Sequence, residues 1–170
     1  MMQPLATISI ASSTFVGQNW GAKKPERIRA ALRQVTGMEL AWSVLGCALI
    51  YACGGGLVQL TTGTTDADLI DNAVMSLRWH LSFFPVLGCL FVLRTAMQAM
   101  GKKTVPVLSS CIELGMKLMS AAFLIPCLGF FGTCITEPIT WTLMLLLLAT
   151  GYFALRKSLI KSAAPDSEEF

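Results

Sequence analysis

The chain has 170 residues, 54% of them hydrophobic and 14% charged, with a mean hydropathy of +0.64 and a formal net charge of +3. A soluble domain averages about 45–50% apolar and about 25% charged residues. The composition therefore excludes a soluble domain, a disordered chain, a nucleic-acid-binding module and a disulfide-rich mini-protein, and it points to an integral membrane protein whose first partner is the lipid bilayer.

Charge-free runs mark the spans. They cover residues 1–22, 40–65, 79–93 (His80 apart), 118–136 and 138–155. A helix needs about 20 mainly apolar residues to cross a hydrocarbon core of ~30 Å, and in lipid it satisfies its own backbone hydrogen bonds. Five transmembrane helices are predicted, at roughly 1–19, 36–60, 75–100, 104–126 and 134–156. Strand-period alternation is absent from LMLLLLATGYFAL, which argues against a barrel.

The opening MMQPLATISI lacks the basic region of a cleaved secretory signal. The first helix is rich in polar side chains for a span: Ser9, Ser12, Ser13, Thr14, Gln18 and Asn19. Residues of this kind face other helices or an aqueous cavity. The chain then turns at Gly21, and Pro25 suits the first position of a new helix. Ile28, Leu32 and Val35 share one face while Arg27, Arg29 and Arg33 fall elsewhere, which makes an interfacial lead-in to the second span.

Within the second helix, Gly54-Gly55-Gly56 lacks the strand-to-helix setting of a phosphate loop and reads as close packing or a kink. Beyond it, Thr65 followed three residues later by Asp68 predicts a capped start for a short surface helix running into the third span. Arg78 and His80 belong to the outer end of that span, where a lone His is expected to be hydrogen-bonded. Arg94, within two turns of Lys102, is expected to snorkel to the headgroups. Glu113 and Lys117 lie inside the fourth helix at i, i+4 spacing, so they share a face and can neutralise each other. Charges at that depth are costly and are paired or line a cavity; a structural ion pair and a direct ion or substrate role are both open. Glu137 precedes Pro138 in the predicted first turn of the last helix, where a carboxylate suits the positive helix end.

The cysteines at 47, 53, 89, 111, 127 and 134 show no metal-ligand spacing and read as packing residues, with Cys127 and Cys134 the one pair placed for a disulfide. No metal site, cofactor site or nucleophile–base–acid set is evident, and the chain has one His, so no enzyme is expected. Residues 1–160 form the membrane domain and 161–170, KSAAPDSEEF, a polar tail expected to be disordered. Ten of the 13 Lys and Arg fall on alternate loops and on the C-terminal segment. By the positive-inside rule these are cytoplasmic, and with five spans the N-terminus is then outside.

Four segments carry a family resemblance. STFVGQNWGAKKPERIRAAL looks like the end of the eighth helix and the following loop of multidrug and toxic compound extrusion (MATE) transporters. MSLRWHLSFFPVLGCLFVLRTAMQAMGKK resembles the tenth helix of that family with its Q-x-x-G-K/R exit, here from Gln98. PVLSSCIELGMKLMSA is similar to the eleventh, with Glu113 to Lys117 as its E-L-x-x-R/K element, and GTCITEPITWTL resembles the start of the twelfth. The match runs over about residues 5–156 in the order and spacing of the family.

The resemblance implies an all-α fold of twelve helices in two lobes, exporting cationic amphipathic drugs in exchange for Na⁺ or H⁺. On this reading the chain supplies helices eight to twelve, most of the C-terminal lobe. The missing N-terminal lobe, in cis or as a separate chain, is the expected protein partner, and the fragment alone is expected to be inactive. Carried over residue by residue, the intramembrane candidates are Glu113, Lys117, Gln98, Arg94 and the Gln18–Asn19 corner, read as structural more than ion-coordinating. The resemblance places the chain in a bacterial plasma membrane, multi-pass. Two alternatives stand beside it: a lobe of a lipid-linked oligosaccharide flippase of the same superfamily, and a non-transporting split subunit or remnant.

Overall fold

A computed structural model describes residues 2–162, with side chains as far as Leu155. The predicted tail lies almost wholly outside the described residues, as do the side chains of Arg156, Lys157 and Lys161. All regular structure among the described residues is helical. In chain order the helices are α1 (Met2–Gly21), α2 (Pro25–Thr62), α3 (Ala67–Ser82), α4 (Phe84–Ala99), α5 (Thr104–Met119), α6 (Ile125–Leu128) and α7 (Phe130–Ser162), with a π-helical turn over Ser120–Leu124 between α5 and α6.

Pro25 opens α2 as expected, and the helix runs unbroken for 38 residues, so the amphipathic lead-in and the second span are one element. Ile28, Leu32 and Val35 are buried on its inner face, which continues through Glu39, Ser43, Gly46, Ile50, Gly54 and Val58. The glycine run neither kinks the helix nor forces a close approach: a Cβ on Gly54 would stand 3.5 Å from the Val74 side chain of α3, an ordinary contact distance, and Gly56 faces open space. The helix stops at Gly63, whose φ of 68° closes a left-handed cap with its N–H donating to the Gln59 carbonyl at 2.8 Å.

The start of α3 lies one residue from the predicted cap. Asp66 rather than Thr65 holds the N-cap, its Oδ1 accepting the Asp68 N–H at 3.1 Å. Loss of such a cap costs about 1 kcal/mol, or about a fivefold change in an opening equilibrium. Asp66→Ala is thus expected to raise amide exchange at Asp68 and Ile70 about fivefold while leaving α4 unchanged; equal rates in the two proteins would show that the cap contributes nothing.

The predicted third span is broken. Helices α3 and α4 meet at Phe83 with a bend of 45°. Pro85, in the first turn of α4, has no N–H to continue the ladder of α3, so the break falls where the backbone loses least. A related effect widens the fourth span. Pro126 withholds an N–H and crowds the carbonyl four residues back, and the Ile125 N–H bonds instead to the Ser120 carbonyl five residues back. Gly129, at φ 58° and ψ −137°, then permits the sharp reversal into α7.

Among the described residues three helices are long and apolar enough to cross a membrane: Pro25–Thr62, Thr104–Leu128 and Phe130–Leu155. The bent α3–α4 pair makes up to four if it counts as one span, against the five predicted. The twenty-residue α1 is absent from that set because its polar residues lower its hydropathy. Helix α4 is central, packing on α1, α2 and α7, while α5 packs mainly on α7. Leu5, Val16, Leu90, Val92, Met97, Met144 and Leu148, all but excluded from solvent, form the middle of the core.

Candidate functional site

A network of ion pairs joins α4, α5 and α7. Lys117 reaches back one turn along α5 to Glu113 at 3.0 Å, the geometry that the i, i+4 spacing predicts. It also reaches across to Glu137 of α7 at 3.5 Å. From α4, Arg94 donates a hydrogen bond to Ser110 Oγ, and its other terminal nitrogen lies 3.9 Å from Glu113 Oε2. Two cations and two carboxylates therefore alternate across three helices with no formal charge left over.

Two sequence expectations are corrected here. Arg94 does not snorkel along α4 to the headgroups but turns sideways to α5, where a hydroxyl and a carboxylate are in reach. Glu137 is not in the first turn of the last helix, because α7 begins at Phe130 and carries no acidic residue in its first turn. Its partner is Lys117 and not a helix end, and Pro138 sits inside the helix with its carbonyl accepting from Thr142 Oγ1 at 2.8 Å.

These charges open onto a groove of roughly 340 Å³ floored by Leu87, Leu90, Phe91 and Met144 and walled by His80 and Trp141. His80 is hydrogen-bonded through Nδ1 to the Ser76 carbonyl at 2.8 Å, and its ring stands edge-on to Trp141 at 6.0 Å between centroids. The carboxylates suit an organic cation through charge, while Trp141, buried against the rings of His80 and Phe84, backs the groove. A second groove, of roughly 750 Å³, lies between α2 and α3, with the Arg78 guanidinium 5.2 Å from the centroid of the Tyr51 ring.

The remaining candidates are not brought to these sites. Gln98 and Gln18 are exposed, and Asn19 is buried but turns its Nδ2 back to the Phe15 carbonyl at 2.8 Å. Cys127 and Cys134 are both free thiols, so the disulfide is absent. Among the described residues no three His, Cys, Asp or Glu side chains gather closely enough to hold a metal ion.

One functional group escaped the sequence reading. Glu39 of α2 is wholly buried, its Oε1 accepting a hydrogen bond from Ser9 Oγ of α1 at 2.8 Å. Among the described residues its Oε2 has no hydrogen-bond partner. Across from it, Gly88 of α4 leaves the space that the carboxyl fills, since a Cβ there would come within 3.0 Å of the Glu39 Cβ and 3.3 Å of Oε2. The signal was present in the sequence, for Glu39 continues the four- and three-residue steps of Ile28, Leu32 and Val35.

The family model MatE matches residues 1–123. The chain belongs to the MatE family. It is thus a MATE-type membrane transporter, in keeping with its apolar helices. No curated protein and no solved structure matches the chain. The MatE match includes Glu39, Arg94, Glu113 and Lys117, whereas Glu137 and Trp141 lie beyond it on α7.

Proposed function

We propose that this MatE chain forms the C-terminal lobe of an exporter for cationic amphipathic molecules, driven by antiport of H⁺ or Na⁺ in a plasma membrane, with its C-terminus cytoplasmic. The observation that carries the reading is the groove where Glu113, Lys117 and Glu137 converge. Their side chains are 34%, 46% and 30% exposed, so they look out of this bundle instead of into it. Charges at membrane depth are not left facing lipid; they face water or protein. A second lobe across the groove, in cis or as a separate chain, supplies that environment and turns the groove into one wall of a cavity. A cationic cargo competes with Lys117 for the two carboxylates.

The test is efflux of a fluorescent lipophilic cation from exporter-deficient cells expressing the chain, with and without a co-expressed N-terminal MatE lobe. Efflux above the vector control is expected with both lobes, and about tenfold less with Glu137→Gln, the scale of one lost charge interaction with the cargo. Efflux equal to the control in every combination would sink the reading. Uptake of a lipid-linked anionic cargo in its place would point to the flippase alternative.

A further inference from the structure

We infer that Glu39 is an exchangeable proton-binding site at the junction of α1, α2 and α4. The carboxyl is wholly buried, one oxygen takes the Ser9 hydroxyl and the other has no partner among the described residues. An ionised carboxylate in that position keeps a full charge with one hydrogen bond and no counter-ion, the most costly state a buried polar group can hold. A single proton on Oε2 removes the charge and leaves the Ser9 bond to Oε1 in place.

Among the described residues Glu39 makes no ion pair, and the nearest cations of its own helix, Arg27, Arg29 and Arg33, are exposed on α2. Helix α1 has no titratable side chain, and the titratable group of α4 within electrostatic reach of Glu39 is the Cys89 thiol. The other titratable residue of α4, Arg94, is engaged with Ser110 and Glu113 of α5. On α2 itself, the Ser43 hydroxyl one turn on donates to the Glu39 carbonyl at 2.7 Å, so it has no proton to offer the carboxyl. The donor set also disfavours a metal cation. Hard cations want several oxygen ligands, and here one carboxyl and one serine hydroxyl converge.

Glu39 stands about 21 Å along α2 from Pro25, at the level of Ser9 midway along α1, so exchange runs along the interface of these helices. Along α1, Ser12 and Ser13 are half-buried on the turn after Ser9, but their hydroxyls donate to the Ser9 and Ile10 carbonyls at 2.8 and 2.6 Å, so the proton is exchanged with water that enters when the helices part. The state of the carboxyl acts on three helices at once, because Gly88 seats it directly against α4. When the proton leaves, the charge favours movement of α4 away from α2 so that water reaches Oε2; when it returns, the three helices close.

The experiment is pH-stepped infrared difference spectroscopy on the full 170-residue chain in lipid nanodiscs. Expected is the carbonyl band of a protonated carboxyl that disappears reversibly as pH rises, is missing in Glu39→Gln, and shifts in frequency in Ser9→Ala, where the hydroxyl donor is gone. Glutamine keeps the size and the acceptor for Ser9; if that variant fails to fold, Ser9→Ala carries the assignment. No such band at any pH, or a band that never titrates, overturns the proposal, the first as a fixed carboxylate and the second as a fixed structural acid. Loss of the band on adding Na⁺ at constant pH also overturns it, in favour of a metal cation. The use of this proton to drive export rests on the exporter reading: Glu39→Gln should then slow pH-gradient-driven efflux about tenfold or more. A chain that exports nothing defeats the exporter reading and leaves the spectroscopic result to decide on Glu39.

Discussion

Gly132→Ala should lower the thermal midpoint of the detergent-solubilised chain by about 3–10 °C. The added Cβ would stand 2.7 Å from the Leu124 carbonyl oxygen, 3.1 Å from its carbon and 3.3 Å from the Ile125 Cα. All three are backbone atoms of the π-turn and α6, so no side-chain rotation can give way, and the start of α7 has to lift off its neighbour. Forcing one methyl into such a site costs about 1–3 kcal/mol, and each kcal/mol moves the midpoint of a chain of this size by about 2–4 °C. Gly56→Ala is the control. It faces open space on α2, where alanine is the better helix former, so the midpoint should hold or rise. A Gly132→Ala protein that melts like the parent would mean that α6 and α7 are not packed together as described.

Lys117→Met is expected to have an effect of similar size by a different route. Lys117 is the cation that touches both Glu113 and Glu137. Without it Glu113 still has Arg94 at 3.9 Å, whereas Glu137 loses the one ion-pair partner it has among the described residues. Stranding a buried charge costs about 3–5 kcal/mol; the partial exposure of these side chains brings the expected loss to about 1–3 kcal/mol. Adding Glu137→Gln to the Lys117→Met protein should restore most of the loss, since the stranded charge is then gone. A double variant no better than the single one would show that the penalty is lost packing of the lysine stem and not electrostatics.

These sites were legible in the sequence to different degrees, for physical reasons. The Glu113–Lys117 pair is local to one helix turn, and its spacing alone determines that the two side chains meet. Arg94 and Glu137 depend on which helices become neighbours, and that is settled by the packing of α4 and α5 on α7, to which single-helix spacing is blind. The inner face of α2 was read correctly at Ile28, Leu32 and Val35. Glu39 was passed over because a charge was taken as the edge of an apolar run, when its phase placed it on the buried stripe. The break at Phe83 and the π-turn before Pro126 both follow from a proline inside a long apolar run. Hydropathy reads straight through a proline, and the backbone does not. The shortfall in α1 has the same origin in reverse, since a helix that carries Ser9, Ser12, Ser13, Gln18 and Asn19 is not apolar enough to register as a span.

The unbroken length of α2 has a mechanical corollary. At about 1.5 Å per residue, its 38 residues make a rod of about 57 Å, against a hydrocarbon slab of about 30 Å. Even the steepest common tilt, about 40°, leaves such a rod too long for the slab, so its arginine-bearing first turns ride in the headgroup layer. Bilayer thickness then acts as a dial on this protein. A thicker membrane stands the rod upright and draws the Glu39 level into the oil, while a thinner one lays it over and lifts that level towards water.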